Sequence, residues 1–181
     1  MAEGRKLRVL TGVPGSGKTT AATSIAREFK PDWVLLHADD AIGPTFAVFA
    51  PKPWAEIRQF HPLFTGWSAG WNLAQERNVL VEGHLKDERE VEWLLRGVRD
   101  LYRGALNTKI VWLDGDPDEI ADKLAANPYR EPDWRGPSRR SNFKEWITNW
   151  AVERSIADAI VDSRGKTPLR VEAEVILALE F

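Results

Sequence analysis

The chain has no cysteine among its 181 residues. That excludes disulfide staples, thiolate zinc sites and cysteine nucleophiles, and leaves magnesium held by carboxylates and water untouched. No apolar run approaches the roughly 20 residues that a membrane span requires. The first residues, Met1 to Lys6, lead into a strand-like segment instead of a signal-peptide core. A soluble, cytoplasmic protein without a membrane partner is therefore expected. Net charge is only −2, so the basic excess of a general nucleic-acid binder is missing, although a local basic groove would escape this test. Internal repeats and a second domain are also missing. With 43% hydrophobic and 29% charged residues, the chain reads as one globular domain able to bury a full core.

What is abundant is tryptophan, nine in all. Trp93 and Trp146 fall on helical apolar stripes, and Trp33 and Trp112 flank strand-like runs, so packing accounts for them. Trp54, Trp67 and Trp71 sit together where the periodicity is weak, so core packing and an aromatic wall for a substrate compete there.

Five short apolar runs read as strands: 7–11, 33–37, 78–81, 109–113 and 159–161. Helices separate them. Residues 19–29 carry apolar side chains at Ala22, Ile25, Ala26 and Phe29, and residues 87–102 at Val91, Leu94, Leu95, Val98 and Leu101. Asp87 with Glu90, Asp116 before Pro117, and Thr167 before Pro168 supply helix starts. Apolar strands alternating with helices predict a five-stranded parallel sheet covered on both faces, a three-layer α/β fold. Two segments, 43–66 and 127–142, break the alternation, and loops of that length in a small domain usually carry function. Residues 43–77 are expected to form a substrate-binding insert and 127–142 a lid.

One motif decides the chemistry. Gly12-Val13-Pro14-Gly15-Ser16-Gly17-Lys18-Thr19 matches G-x-x-x-x-G-K-[ST] directly after a strand and before a helix, the context of a P-loop. Gly12, Gly15, Ser16, Gly17 and Thr20 are expected to close backbone N–H groups around phosphate oxygens at a helix N-terminus. Lys18 is expected to reach the β- and γ-phosphates, and the Thr19 hydroxyl to ligate Mg²⁺. No Asn-Lys-x-Asp base-reading motif of GTPases follows.

The order of further elements resembles the small P-loop kinases, the group that includes shikimate and gluconate kinases, chloramphenicol phosphotransferase and the kinase domain of phage polynucleotide kinase. Those elements are the P-loop, Asp39-Asp40 after the second strand, a Val-Leu-Val-Glu-Gly run at 79–83, Leu-Asp-Gly-Asp-Pro at 113–117, an arginine-bearing lid, and Val-Asp-Ser-x-Gly-x-Thr-Pro at 161–168. The resemblance implies a P-loop NTPase fold and phosphoryl transfer from ATP with Mg²⁺. It makes Asp39 the carboxylate that accepts the proton of an acceptor hydroxyl or orients it. Asp40 beside it would contact the acceptor; either aspartate could instead cap a helix. Glu82 would bind Mg²⁺, directly or through water, or orient the acceptor, and is preferred over Asp114 for that role; pairing with Lys86 or an arginine is the structural alternative. His84 is placed at the acceptor, and Arg130 and Arg135 are favoured as the lid cations that meet the γ-phosphate.

Two departures bear on the acceptor. The third strand exits as Glu82-Gly83-His84-Leu85-Lys86, without the arginine by which adenylate-kinase-type enzymes hold a monophosphate. That favours a hydroxyl acceptor. Ile42 stands where polynucleotide kinases carry an arginine, which weakens a nucleic-acid reading, although Lys52, Arg58 or the lid would still offer basic contacts. A small-molecule hydroxyl, in a pocket walled by the 43–77 insert, and a nucleic-acid hydroxyl, with the tryptophans stacking a nucleobase, both remain open; at least one of Trp54, Trp67 and Trp71 is expected to touch the acceptor.

Overall fold

A computed structural model describes residues 4–41, 57–126, 144–145, 147–148 and 151–181. Five parallel strands, β1 (Arg5–Gly12), β2 (Trp33–His37), β3 (Asn78–Glu82), β4 (Leu106–Asp114) and β5 (Ala159–Asp162), lie in the order β2-β3-β1-β4-β5. Because side chains alternate across a strand, Leu7 and Val9 of β1 join Val79 and Val81 on one face, while Leu10 joins Leu80, Val111 and Leu113 on the other. Both faces are covered, so the strands read as continuous apolar runs.

Helices α1 (Lys18–Glu28) and α5 (Pro168–Leu179) cover the Leu10 face; α2 (Phe60–Ala74) and α3 (Glu88–Leu101) cover the opposite one. Helix α4 (Pro117–Ala126) packs Ile120, Ala121 and Leu124 on Val13 and Trp112. The starts follow the expected chemistry. Asp87 accepts from Glu90 N at 3.0 Å, Asp116 Oδ1 from Asp118 N at 2.8 Å and Glu119 N at 3.0 Å, and Thr167 from Arg170 N at 3.4 Å.

In the second half of the expected insert at 43–77, residues 60–74 form a helix between β2 and β3, with Ala69 and Leu73 in the core. Gly66 and Gly97 let α2 and α3 touch backbone to backbone: a Cβ on Gly66 would meet Leu94 O at 2.2 Å, and one on Gly97 would meet Leu63 O at 2.4 Å. Contacts made by missing side chains leave no apolar stripe to read, which is why the periodicity looks weak there. Trp33 and Trp112 are core residues as expected. Residues 42–56 and the expected lid at 127–142, and with them Ile42, Lys52, Trp54, Arg130 and Arg135, lie outside the described residues. Among the described residues, no helix is long and apolar enough to cross a membrane.

Candidate functional site

The P-loop leaves β1 at Gly12 and enters α1 at Lys18. Gly12, Gly15 and Gly17 all have positive φ (134°, 82° and 98°), a region costly for residues with a Cβ. A Cβ at Gly12 would strike Leu113 O at 2.1 Å, so β4 forbids any side chain there. At Gly17 nothing lies within 4 Å of a Cβ position, and the residue lines the cavity at the start of α1. Ser16 Oγ is buried and has no hydrogen-bond partner among the described residues. An orphaned hydroxyl inside a glycine-lined turn at a helix N-terminus is suited to an anion.

Lys18 is buried in the same turn, its Nζ donating to Val13 O at 2.8 Å. Burial pushes its ammonium down to about 8, against the charges of Glu82 and Asp39, which raise it. Phosphate oxygens would add negative charge beside this buried cation and favour its charged form.

Around it lies a cavity of about 390 Å³ lined by Gly15, Gly17, Thr19 and Thr20 together with Asp39, Glu82 and His84. Three strand ends therefore meet at one point. Glu82 ends β3 in register with Leu10 of β1 and His37 of β2. Its Oε1 accepts from Thr19 Oγ1 at 3.2 Å and its Oε2 lies 2.9 Å from His37 Nδ1. Asp39 sits in the 3₁₀ turn Ala38–Ala41 after β2. His84 Nδ1 lies 3.4 Å from Gly12 O, and Thr11 Oγ1 ties the following residue by accepting from Leu85 N at 3.0 Å.

The turn under Asp39 is anchored from two sides. His61 of α2, buried, places Nε2 2.6 Å from Ala38 O, and Gly83 gives Ala38 room: a Cβ there would come within 2.4 Å of Ala38 Cβ. Burial lowers the His61 pKa, against the Ala38 carbonyl and the Asp39 charge, so the ring is neutral and donates through Nε2.

The donor set fits Mg²⁺. Thr19 hydroxyl and Glu82 carboxylate are hard oxygen donors already in contact at the cavity wall. Among the described residues no three or more His, Asp or Glu groups form a cage for a metal ion, and a magnesium ion bound together with a triphosphate needs only one or two protein ligands. Asp114, the competing carboxylate, does not line this cavity; it is buried and paired with Arg154 Nη2 at 2.6 Å.

A neighbouring cavity of about 290 Å³ shares Gly15, Gly17 and Thr20 with the first and extends to Ser163, Lys166 and Pro168. Ser163 holds that loop on β4 by donating Oγ–H to Asp114 O at 2.8 Å. Lys123, in the last turn of α4, lines both cavities. Lys123 is not among the residues expected from the sequence; its place one turn before the arginine-bearing segment is the available signal. His37 was also missed as a site residue, since its link to Glu82 exists only once β2 and β3 are known to be neighbours.

Other expected residues are distributed differently. Asp40 and Trp67 line a separate, largely apolar cavity between β2 and α2. Trp71 is 60% exposed and lines none of the cavities described here. Arg58, considered as a basic contact for nucleic acid, is committed to Asp87 at 2.6 Å and Glu90 at 3.0 Å. That pair opposes the burial that raises the Glu90 pKa.

No family model matches the chain. A cytidylate kinase of Pyrobaculum arsenaticum is 26% identical over 187 residues, covering 95% of this chain and 90% of that protein. The shikimate kinase of Bacteroides thetaiotaomicron superposes with a TM-score of 0.63 at 20% identity, over 97% of this chain and 98% of that one. The tunicamycin resistance protein of Deinococcus radiodurans does so with a TM-score of 0.65 at 15% identity, over 96% and 94%. The chain has the fold of the small P-loop kinases, a five-stranded parallel α/β sheet.

Proposed function

We propose that the chain is a cytoplasmic, ATP-dependent kinase that uses Mg²⁺ and transfers the γ-phosphate to a hydroxyl group of a small molecule. The observation that carries this reading is the convergence of Lys18 and Thr19 with two carboxylates from different strand ends, Asp39 and Glu82, in one cavity. The adjoining cavity at Ser163, Lys166 and Pro168 gives the nucleoside a place beside the P-loop.

Lys18 and the backbone N–H groups of residues 15–19 would hold the β- and γ-phosphates, and Thr19 and Glu82 would hold Mg²⁺. Bound there, Mg²⁺ offsets charge on the phosphate oxygens. Asp39 orients the acceptor hydroxyl and takes its proton. As the acceptor oxygen bonds to the γ-phosphorus, the bond to the β,γ-bridging oxygen breaks and ADP leaves. The lid arginines Arg130 and Arg135 are assigned to the γ-phosphate, and the catalysis is mainly positioning and charge stabilisation.

Cytidylate kinase, by its name, phosphorylates a nucleotide. The present chain has no arginine in the run Glu82-Gly83-His84-Leu85-Lys86, which supports a hydroxyl in preference to a phosphate acceptor. The test is transfer of radiolabel from [γ-³²P]ATP to cytidine and cytidylate in parallel, with pooled sugars, nucleosides, aminoglycosides and DNA. Label on a small-molecule hydroxyl supports the proposal. Label on cytidylate alone moves the acceptor to phosphate, and label on DNA with a steeply salt-dependent KM moves it to nucleic acid.

A further inference from the structure

Between the end of β2 and α2 lies a cavity of about 470 Å³, within the size range of small-molecule sites. Leu35, Leu36, Phe64 and Trp67 form its apolar walls, and among the described residues lining it His37 and Asp40 are the ionisable ones. The Trp67 ring lies 5.2 Å from that of Phe64, at 41°. Its Nε1 donates to Asp100 Oδ2 at 2.9 Å. The indole's single donor is therefore used, and what Trp67 offers the cavity is ring surface held in place.

This cavity adjoins the phosphate site through two residue pairs. Asp40 lines it while its neighbour Asp39 lines the phosphate cavity. His37 lines it while its Nδ1 holds Glu82 of the phosphate cavity. A molecule seated here lies against the turn that carries the proposed proton acceptor.

We infer that this cavity receives the body of the acceptor, and that the acceptor is an uncharged or cationic compound with a flat apolar portion next to its hydroxyl. The inference rests on the kinase reading and goes beyond it by naming the acceptor class. A carboxylate or phosphate entering here would lose hydration against Leu35, Leu36, Phe64 and Trp67. Among the described lining residues it would find no lysine or arginine to replace that hydration, and it would stand beside Asp40. A neutral ring loses little hydration and gains contact with Phe64 and Trp67, and an ammonium group is compatible with Asp40.

The experiment uses three matched probes: 4-(hydroxymethyl)benzamide, 4-(hydroxymethyl)benzoate and 4-(aminomethyl)benzyl alcohol. The full chain is labelled with 5-fluorotryptophan, and the Trp67 resonance is assigned through Trp67→Phe. The benzamide and the amine are expected to shift that resonance with a Kd at least tenfold below that of the benzoate. Ser68→Trp, which fills the cavity from an exposed position of α2, is expected to raise the benzamide Kd tenfold or more. Equal or stronger benzoate binding overturns the inference, as does an unchanged Kd in Ser68→Trp with melting temperature preserved. Transfer from [γ-³²P]ATP is measured on the same probes and on the acceptors of the wider panel. Transfer confined to anionic acceptors leaves the kinase reading standing and overturns the acceptor class. No transfer to any acceptor, with ATP still bound, overturns the kinase reading itself.

Discussion

His37 Nδ1 stands 2.9 Å from Glu82 Oε2, while the other oxygen of that carboxylate receives the Thr19 hydroxyl at 3.2 Å. Both oxygens of Glu82 are thus directed by neighbours, one from the edge strand β2 and one from the first turn of α1. A ligand carboxylate held in this way has a fixed orientation, and removal of such a partner typically costs 10- to 100-fold in metal affinity or activity. His37→Phe is expected to raise the Mg²⁺ concentration for half-maximal turnover by about tenfold, with His37→Gln recovering part of the loss. Turnover measured across a Mg²⁺ titration checks this; an unchanged Mg²⁺ requirement in His37→Phe would remove His37 from any role toward Glu82.

Lys18→Ala is expected to abolish phosphoryl transfer and leave the fold intact. The ammonium is buried and its pKa is pushed down to about 8, so its charge is held at a cost to the empty protein, and its loss removes that cost. The melting temperature is therefore expected to stay level or rise. Activity retained in a folded Lys18→Ala protein would contradict the kinase assignment.

Asp39→Asn is expected to keep ATP binding and to lower turnover by roughly 10² or more, the usual scale for a positioned base. Asp40→Asn, at a residue that lines the other cavity, is expected to act on acceptor KM with a smaller effect on kcat. Comparing kcat and KM for both substrates separates the two aspartates. A larger kcat loss at Asp40 would exchange their roles.

The order of elements was legible because each strand is a short apolar run and each described helix start at Asp87, Asp116 and Thr167 carries its capping chemistry. The P-loop was legible because fixed backbone geometry demands glycine at fixed positions. Helix α2 was hidden because Gly66 and Gly97 pack by backbone, where hydrophobicity gives no signal. The roles of His37 and His61 were hidden for a different reason: one depends on strand adjacency and the other on a carbonyl 23 residues away. Residue type and spacing along the chain carry neither. Glu82 could be preferred over Asp114 from motif order alone, and Arg154 supplies the physical complement by engaging Asp114 away from the P-loop cavity.

His61 provides a prediction that needs no substrate. Its Nε2 donates to Ala38 O at 2.6 Å in a buried setting, so His61→Phe leaves that carbonyl without its partner. A loss of about 1–3 kcal/mol of stability is expected, the usual cost of a buried polar group left unpaired. His61→Gln, which can still donate, should lose less. The pH dependence separates this contact from simple packing. Burial lowers the His61 pKa in the folded state, whereas the unfolded chain titrates near the ordinary value of about 6.5. Below that pH the unfolded state binds the proton first, so stability present above about pH 6.5 is lost as pH falls toward the depressed folded value. Urea unfolding between pH 5 and 8 should show wild type losing more stability on acidification than His61→Gln does. The turn that carries Asp39 begins at Ala38, so His61→Gln is also expected to lower kcat more than it raises the ATP KM. Parallel pH profiles for the two proteins, with equal kcat, would reduce His61 to a packing residue and leave Gly83 as the structural constraint on the Asp39 turn.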